Sequence, residues 1–309
     1  MSATVVYDLR VLAPTFDFIG FMSMVYGLLV LNSVEPKEIE VIIVCGKSLR
    51  GAEFNATESQ EERILQRLYD VILPLTRLLP YIKSTNVIDA RSKSLHVQMR
   101  DIFYPNPYSA TQPELYKYYK NHMLYSVAKR TDVRVIQCPT ESLNVAKGIL
   151  KRHVGVENPV VITIRNNFLS HDRSRDNLQK HLSIAEKLSE DFPVVLIPDT
   201  SDLETPMPTT LPVVYEAALD VVIRAAVYQV AHANICGPTG PGSLMSLNKD
   251  VTYLHAEYAT GEYYTEEWFR REGFVPGSNL FSENNPKQQI DFGPLTYERA
   301  KNFVSSQLN

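Results

Sequence analysis

Cysteine is scarce in this chain. The three present, Cys45, Cys138 and Cys236, lie far apart and form no CxxC pair. That excludes a disulfide scaffold and a paired-thiol metal site, and it predicts reduced, buried thiols in a reducing, cytoplasmic compartment. Excess charge of one sign is also missing. The formal net charge is −4, so no face is broadly basic and nucleic acid is not an expected partner. No apolar run reaches the roughly 20 residues of a membrane span. The most hydrophobic stretch, residues 16–31, carries Asp17 and reads as a core helix. No basic segment followed by a cleavable apolar one opens the chain, so no secretory signal is expected. The P-loop GxxxxGK[ST], the dinucleotide GxGxxG, the zinc HExxH and the GxSxG elbow are all absent. His153, His171, His181, His232 and His255 show no close ligand spacing, so no metal site is expected. Internal repeats and low-complexity segments are lacking too.

What remains is an ordinary globular composition over 309 residues, 44% apolar and 21% charged, enough for one large or two smaller packed domains. Short β-branched runs alternate with stretches of helical periodicity. Strands are predicted at residues 5–11, 38–44, 87–89, 94–99, 133–137, 160–164, 194–197, 213–215, 235–236 and 251–255. Helices are predicted at residues 16–32, 61–82 with an interruption at Pro74, 113–129, 140–153, 177–190, 220–233, 244–248, 268–272 and 296–307. Residues 101–112, rich in proline and aromatics, read as an ordered loop. Strand–helix–strand units of this length require crossovers and hence parallel pairing. The predicted class is α/β, with two Rossmann-like domains facing a cleft: residues 1–155 and 156–309, the boundary falling between 153 and 159.

Three stretches carry candidate chemistry. Residues 160–198 are a buried strand, a basic loop, an amphipathic helix and a second strand. Arg165 and Asn166 follow the first strand, and Arg173 and Arg175 precede the helix. Guanidinium forks and a helix N-terminus suit phosphate oxygens. The competing reading is a solvated loop in which the arginines pair with Asp172 and Asp176. The second stretch is GPTGPGS, residues 237–243, between a strand and a helix. Thr239, Gly240, Gly242 and Ser243 offer amides and hydroxyls to a phosphate or sugar, or they form only a strand–helix turn. The third is the turn after the first strand, where Asp17 would act as a general base or cap the helix; Asp8 is a weaker candidate. Tyr116, Tyr118, Tyr119 and Tyr125 read as packing, with stacking on sugar rings as the alternative.

Taken together, the Thr163-Ile164-Arg165 strand end, the basic loop, Pro198-Asp199-Thr200 and the loop at 237–241 resemble the donor half of GT-B glycosyltransferases. The nearest groups are the heptosyltransferase-like and fucosyltransferase-like ones. The opening strand and the turn Pro14-Thr15-Phe16-Asp17-Phe18 are similar to the start of bacterial polysaccharide-cluster proteins. The resemblance implies a metal-independent glycosyltransferase with a nucleotide-diphosphate sugar as co-substrate and no other cofactor. Its acceptor would be a glycan, a polysaccharide or a lipid-linked glycan, with peripheral membrane association left open. It further implies that Arg165 and Arg173 hold the diphosphate, that Thr239, Gly240, Gly242 and Ser243 approach phosphate or ribose, that Asp199 and Thr200 line the nucleotide pocket, and that Asp17 is the base. The chain lacks the Asp-Gly-Pro-x-His sequence of heptosyltransferases, since Gly240 follows Thr239, and the tandem arginines of fucosyltransferases. A sugar-nucleotide epimerase or hydrolase on the same fold, and a non-catalytic partner protein, are the alternatives.

Overall fold

The computed structural model describes residues 3–46, 60–90, 102–106, 108–109, 111, 113, 121–164, 175–198, 206–257, 265–271, 274–275, 277, 281 and 285–308. They form two compact units, Met1–Gln137 and Cys138–Asn309. The division falls ahead of the expected 153–159 link, because the helix Thr140–Val154 packs on elements of the second unit.

The first unit runs β1 (Thr4–Asp8), α1 (Asp17–Leu31), β2 (Ile39–Cys45), α2 (Gln60–Arg67), a π turn (Leu68–Ile72), α3 (Leu73–Thr76), β3 (Ile82–Asp89), β4 (Ile102–Tyr104) and α4 (Asn121–Ala128). Its sheet is parallel in the order β3-β2-β1-β4. Helix α1 buries Phe18, Ile19, Phe21, Met22, Met24, Val25 and Leu29, as a core helix should. It packs against α4 at Gly27, where a Cβ would fall 2.4 Å from Val127 Cγ1. Pro74 sits in the first turn of α3, where its missing N–H breaks no helical bond, and the π turn just before it is the expected interruption.

The second unit runs α5 (Thr140–Val154), β5 (Val160–Ile164), α6 (Arg175–Ser189), β6 (Val194–Pro198), α7 (Glu216–Leu219), α8 (Val221–Val230), β7 (Ala233–Cys236), α9 (Gly242–Ser246), β8 (Tyr253–His255), α10 (Glu266–Arg271), β9 (Gln288–Ile290) and α11 (Tyr297–Ser306). The sheet is parallel in the order β6-β5-β7-β8-β9. Every residue of β5 and β6 is buried, the signature of strands covered on both faces. Leu182, Ala185 and Leu188 of α6 join Ile162, Leu196 and Val304 in one core.

Several predictions shift. Residues 133–137 are buried at Val133 and Ile136 but form no strand; the Gln137 amide donates instead to the Leu78 carbonyl at 2.9 Å. The predicted strand at 213–215 is reduced to one bridge between Val213 and Leu196. Strand β4 replaces part of the expected loop, and β9 was not predicted at all. Residues 94–99 lie outside the described residues. All three cysteines are free, but only Cys236 is fully buried; burial pushes the half-buried Cys45 thiol up to about 11.

Candidate functional site at the carboxyl edge of the second sheet

In a parallel sheet with helices on its faces, ligands settle beyond the carboxyl ends of the strands, where the strand order reverses. In the second unit that point lies between β5 and β7. The chain runs outward from β5 to β6, then returns to β7 on the other side of β5. The register aligns Thr163 with Cys236 and Ile164 with Pro198. Three segments therefore leave one edge together. Arg165 and Asn166 follow β5, Asp199 and Thr200 follow β6, and Gly237 follows β7. Arg165, Asn166, Arg173, Asp199 and Thr200 themselves lie outside the described residues, and Arg175 is placed only as the first residue of α6.

The turn after β7 is fully described. Its geometry is set by Thr239, whose carbonyl and Oγ1 both accept from the Gly242 amide, at 3.1 and 3.2 Å. The Ser243 amide donates to the Gly240 carbonyl at 3.1 Å. The amides of Gly242 and Ser243 are thus used inside the turn. Pro238 and Pro241 have no N–H. Among the described residues the Thr239 and Gly240 amides donate to nothing, and Gly240 is exposed, so the tip of the loop is the part that can present donors. Helix α9 is only five residues long, too short for its dipole to matter beside these amides.

Behind the loop stands a charged cluster not singled out from the sequence. Glu257, two residues past β8, has a left-handed backbone (φ 59°), and its amide donates to the Gly293 carbonyl at 3.0 Å. Its carboxylate accepts from Lys180 Nζ at 2.6 Å and from the Leu295 amide at 3.2 Å, and it lies 3.4 Å from His181 Nε2. These neighbours, His181 first, hold the Glu257 carboxyl down at about 2 against the opposing effect of burial. Gly237 lies beside both His181 and Glu257, so the cluster ties the middle of α6 to the root of the loop. The available signal was a single acid directly after an apolar strand, and that signal is weak. Among the described residues, no group of three or more His, Cys, Asp or Glu is placed to hold a metal ion.

In the first unit, Asp17 is the first residue of α1 and is exposed; its amide donates to Thr15 Oγ1 at 3.2 Å. Asp8 closes β1 and is buried. Its carboxylate accepts from Arg10 Nε at 3.0 Å, from Arg10 Nη2 at 2.7 Å and from the Tyr108 hydroxyl at 2.7 Å. This arrangement accounts for Asp8 as a structural ion pair. No described helix is long and apolar enough to cross a membrane.

Two parallel sheets, each with a single reversal of strand order, define an α/β fold of the kind found in GT-B glycosyltransferases. A solved structure of a glycosyl transferase family 9 protein from Veillonella parvula DSM 2008 is similar over 99% of this chain and 97% of its own, with a TM-score of 0.53 at 13% identity. The E. coli ADP-heptose LPS heptosyltransferase II aligns over 100% and 98%, with a TM-score of 0.49 at 9% identity. No family model matches the chain, and no curated protein matches it in sequence.

Proposed function

We propose that this protein is a glycosyltransferase that moves a sugar from a nucleotide-diphosphate donor to a glycan or polysaccharide acceptor without a metal ion. The observation that carries the reading is that β6, β5 and β7 end side by side at one switch point. The arginine-bearing segment after β5, Asp199-Thr200 after β6 and the Thr239–Gly240 loop tip after β7 leave one edge of one parallel sheet. The likeness in fold to a glycosyl transferase family 9 protein supports it.

In this reading Arg165 and Arg173 hold the diphosphate, Arg175 adds positive charge at the start of α6, and the Thr239 and Gly240 amides approach its oxygens. As the bond between the anomeric carbon and the leaving phosphate oxygen breaks, negative charge grows on the diphosphate and these donors stabilise it. Asp17 takes the proton from the acceptor hydroxyl, whose oxygen forms the new bond to the anomeric carbon. Asp199 and Thr200 line the nucleoside, and Ser243 supports the turn.

The test is calorimetry with ADP, GDP, UDP and CDP, followed by transfer assays with the matching nucleotide sugars. Binding of one diphosphate, its loss in Arg165→Ala, and loss of transfer but not of binding in Asp17→Asn are the expected results. Binding of none of the four would sink the reading. Conversion of a nucleotide sugar with no acceptor present would point instead to an epimerase or hydrolase.

A further inference from the structure

Helix α8 reads VVIRAAVYQV, and its one formal charge, Arg224, is entirely removed from solvent. The guanidinium Nε donates to the Ala217 carbonyl at 2.8 Å, and Nη2 donates to the carbonyl of Pro198, the last residue of β6. Nη1 is buried with no hydrogen-bond partner. No acid pairs with this arginine among the described residues, and the two acids nearest in sequence are committed elsewhere. Glu216 faces His153 at 3.3 Å and Arg152 at 3.6 Å, while Asp220 accepts from the Val222 and Ile223 amides at 2.7 and 3.0 Å.

A buried guanidinium held only by carbonyl groups is electrostatically uncompensated, and such a charge is costly to keep. Its position gives it a use. Pro198 is in register with Ile164, the residue before Arg165, so the guanidinium lies at the carboxyl edge within roughly 10 Å of the end of β5, two strand spacings away. Across a poorly polarisable interior, a charge at that range acts on an anion without touching it.

We propose that Arg224 is a buried counter-charge for an anionic ligand of the phosphate or diphosphate class held at the carboxyl edge of the second sheet. The inference rests on the site assigned under the proposed function and adds a residue that acts on it from below through its field. The two carbonyl bonds fix the guanidinium in place; with no acid paired to it among the described residues, its charge is left for the ligand.

The test is calorimetry on the full chain with inorganic pyrophosphate, then with the diphosphate, monophosphate and free nucleoside of whichever base the wild type binds. Arg224→Met should weaken pyrophosphate and the diphosphate by about tenfold, weaken the monophosphate less and leave the nucleoside unchanged. Arg224→Lys, which keeps the charge, should stay close to wild type. Should the methionine variant not fold, as judged by its melting curve, Arg224→Gln against Arg224→Lys makes the same comparison of neutral with charged. Unchanged pyrophosphate affinity in the neutral variant would overturn the inference while leaving the proposed function intact. So would an equal loss for nucleoside and diphosphate, which would make Arg224 a support for the loop's shape. Wild-type binding of pyrophosphate but of no nucleoside diphosphate would overturn the function and leave Arg224's role standing. No wild-type binding of pyrophosphate or of any of the four nucleoside diphosphates overturns both.

Discussion

His255 lies so close to the Cα of Gly242 that a methyl group there would fall 2.8 Å from its Cε1 and 3.0 Å from its Nε2. The ring comes from the end of β8 and the glycine from the first position of α9, so one strand sets the height of the loop built on the next. Gly242→Ala should therefore cost about 1–3 kcal/mol, seen as a lowered midpoint of urea unfolding. Combined with His255→Ala, the loss should be smaller than the sum of the two single losses. Strict additivity would mean that the contact does not constrain the loop.

Acid should weaken the fold in two stages. Burial lowers the His255 pKa from 6.5 to about 3, so the native state keeps the ring neutral where the unfolded chain would protonate it. Its contribution is present above 6.5 and is lost as pH falls from there towards 3. Glu257 is lowered from 4.5 to about 2, so its contribution, up to about 3 kcal/mol, is present above 4.5 and lost between 4.5 and 2. Melting temperatures measured across this range should flatten in the upper stage for His255→Leu and in the lower stage for Glu257→Gln. Parallel curves for wild type and both variants would contradict the assignment.

The buried pair of Asp8 and Arg10 should matter more when broken than when replaced. Asp8 is 1% exposed and Arg10 is 8% exposed, so Asp8→Asn leaves a guanidinium without its carboxylate and should cost roughly 3 kcal/mol in urea unfolding. Replacing both, as Asp8→Leu with Arg10→Met, should recover much of that loss. A single variant as stable as wild type would show that the pair contributes nothing.

Asp220 is a conventional helix cap, and its variants calibrate the scale of the other effects. Its side chain accepts from the first free amides of α8, at Val222 and Ile223. Asp220→Ala should lower stability by about 1 kcal/mol, and Asp220→Asn, which keeps the acceptor, by less.

The elements that were legible share one property. β2, β5 and β6 are runs of Val and Ile covered on both faces, and α6 and α11 carry their apolar residues on one side. Such patterns report burial, which is local in the chain. Pairing is not local, and the misses follow from that. Residues 133–137 have a strand's buried apolar pattern at Val133 and Ile136, yet they pair with none of the described strands. β4 and β9 are three residues each, too short to show a period, and exist because β1 and β8 offer open edges. In the candidate site, the loop at 237–243 was visible because glycine and proline mark a constrained turn. The use of its own amides was not visible, since that depends on the turn's closure on Thr239.

The sequence alone therefore determined the class of fold, its longer strands and helices, and which loops carry arginine, glycine and hydroxyls, because side-chain period and turn chemistry act over a few residues. Only the tertiary structure decided that the segments after β5, β6 and β7 leave one edge together, because strand order is set by contacts between distant parts of the chain. The tertiary structure also decided the roles of the lone charges. Arg224 in an apolar helix, Glu257 after an apolar strand and Asp8 at the end of β1 look alike in the sequence. They differ in what packs around them: carbonyls for Arg224, a lysine, a histidine and an amide for Glu257, and a guanidinium for Asp8.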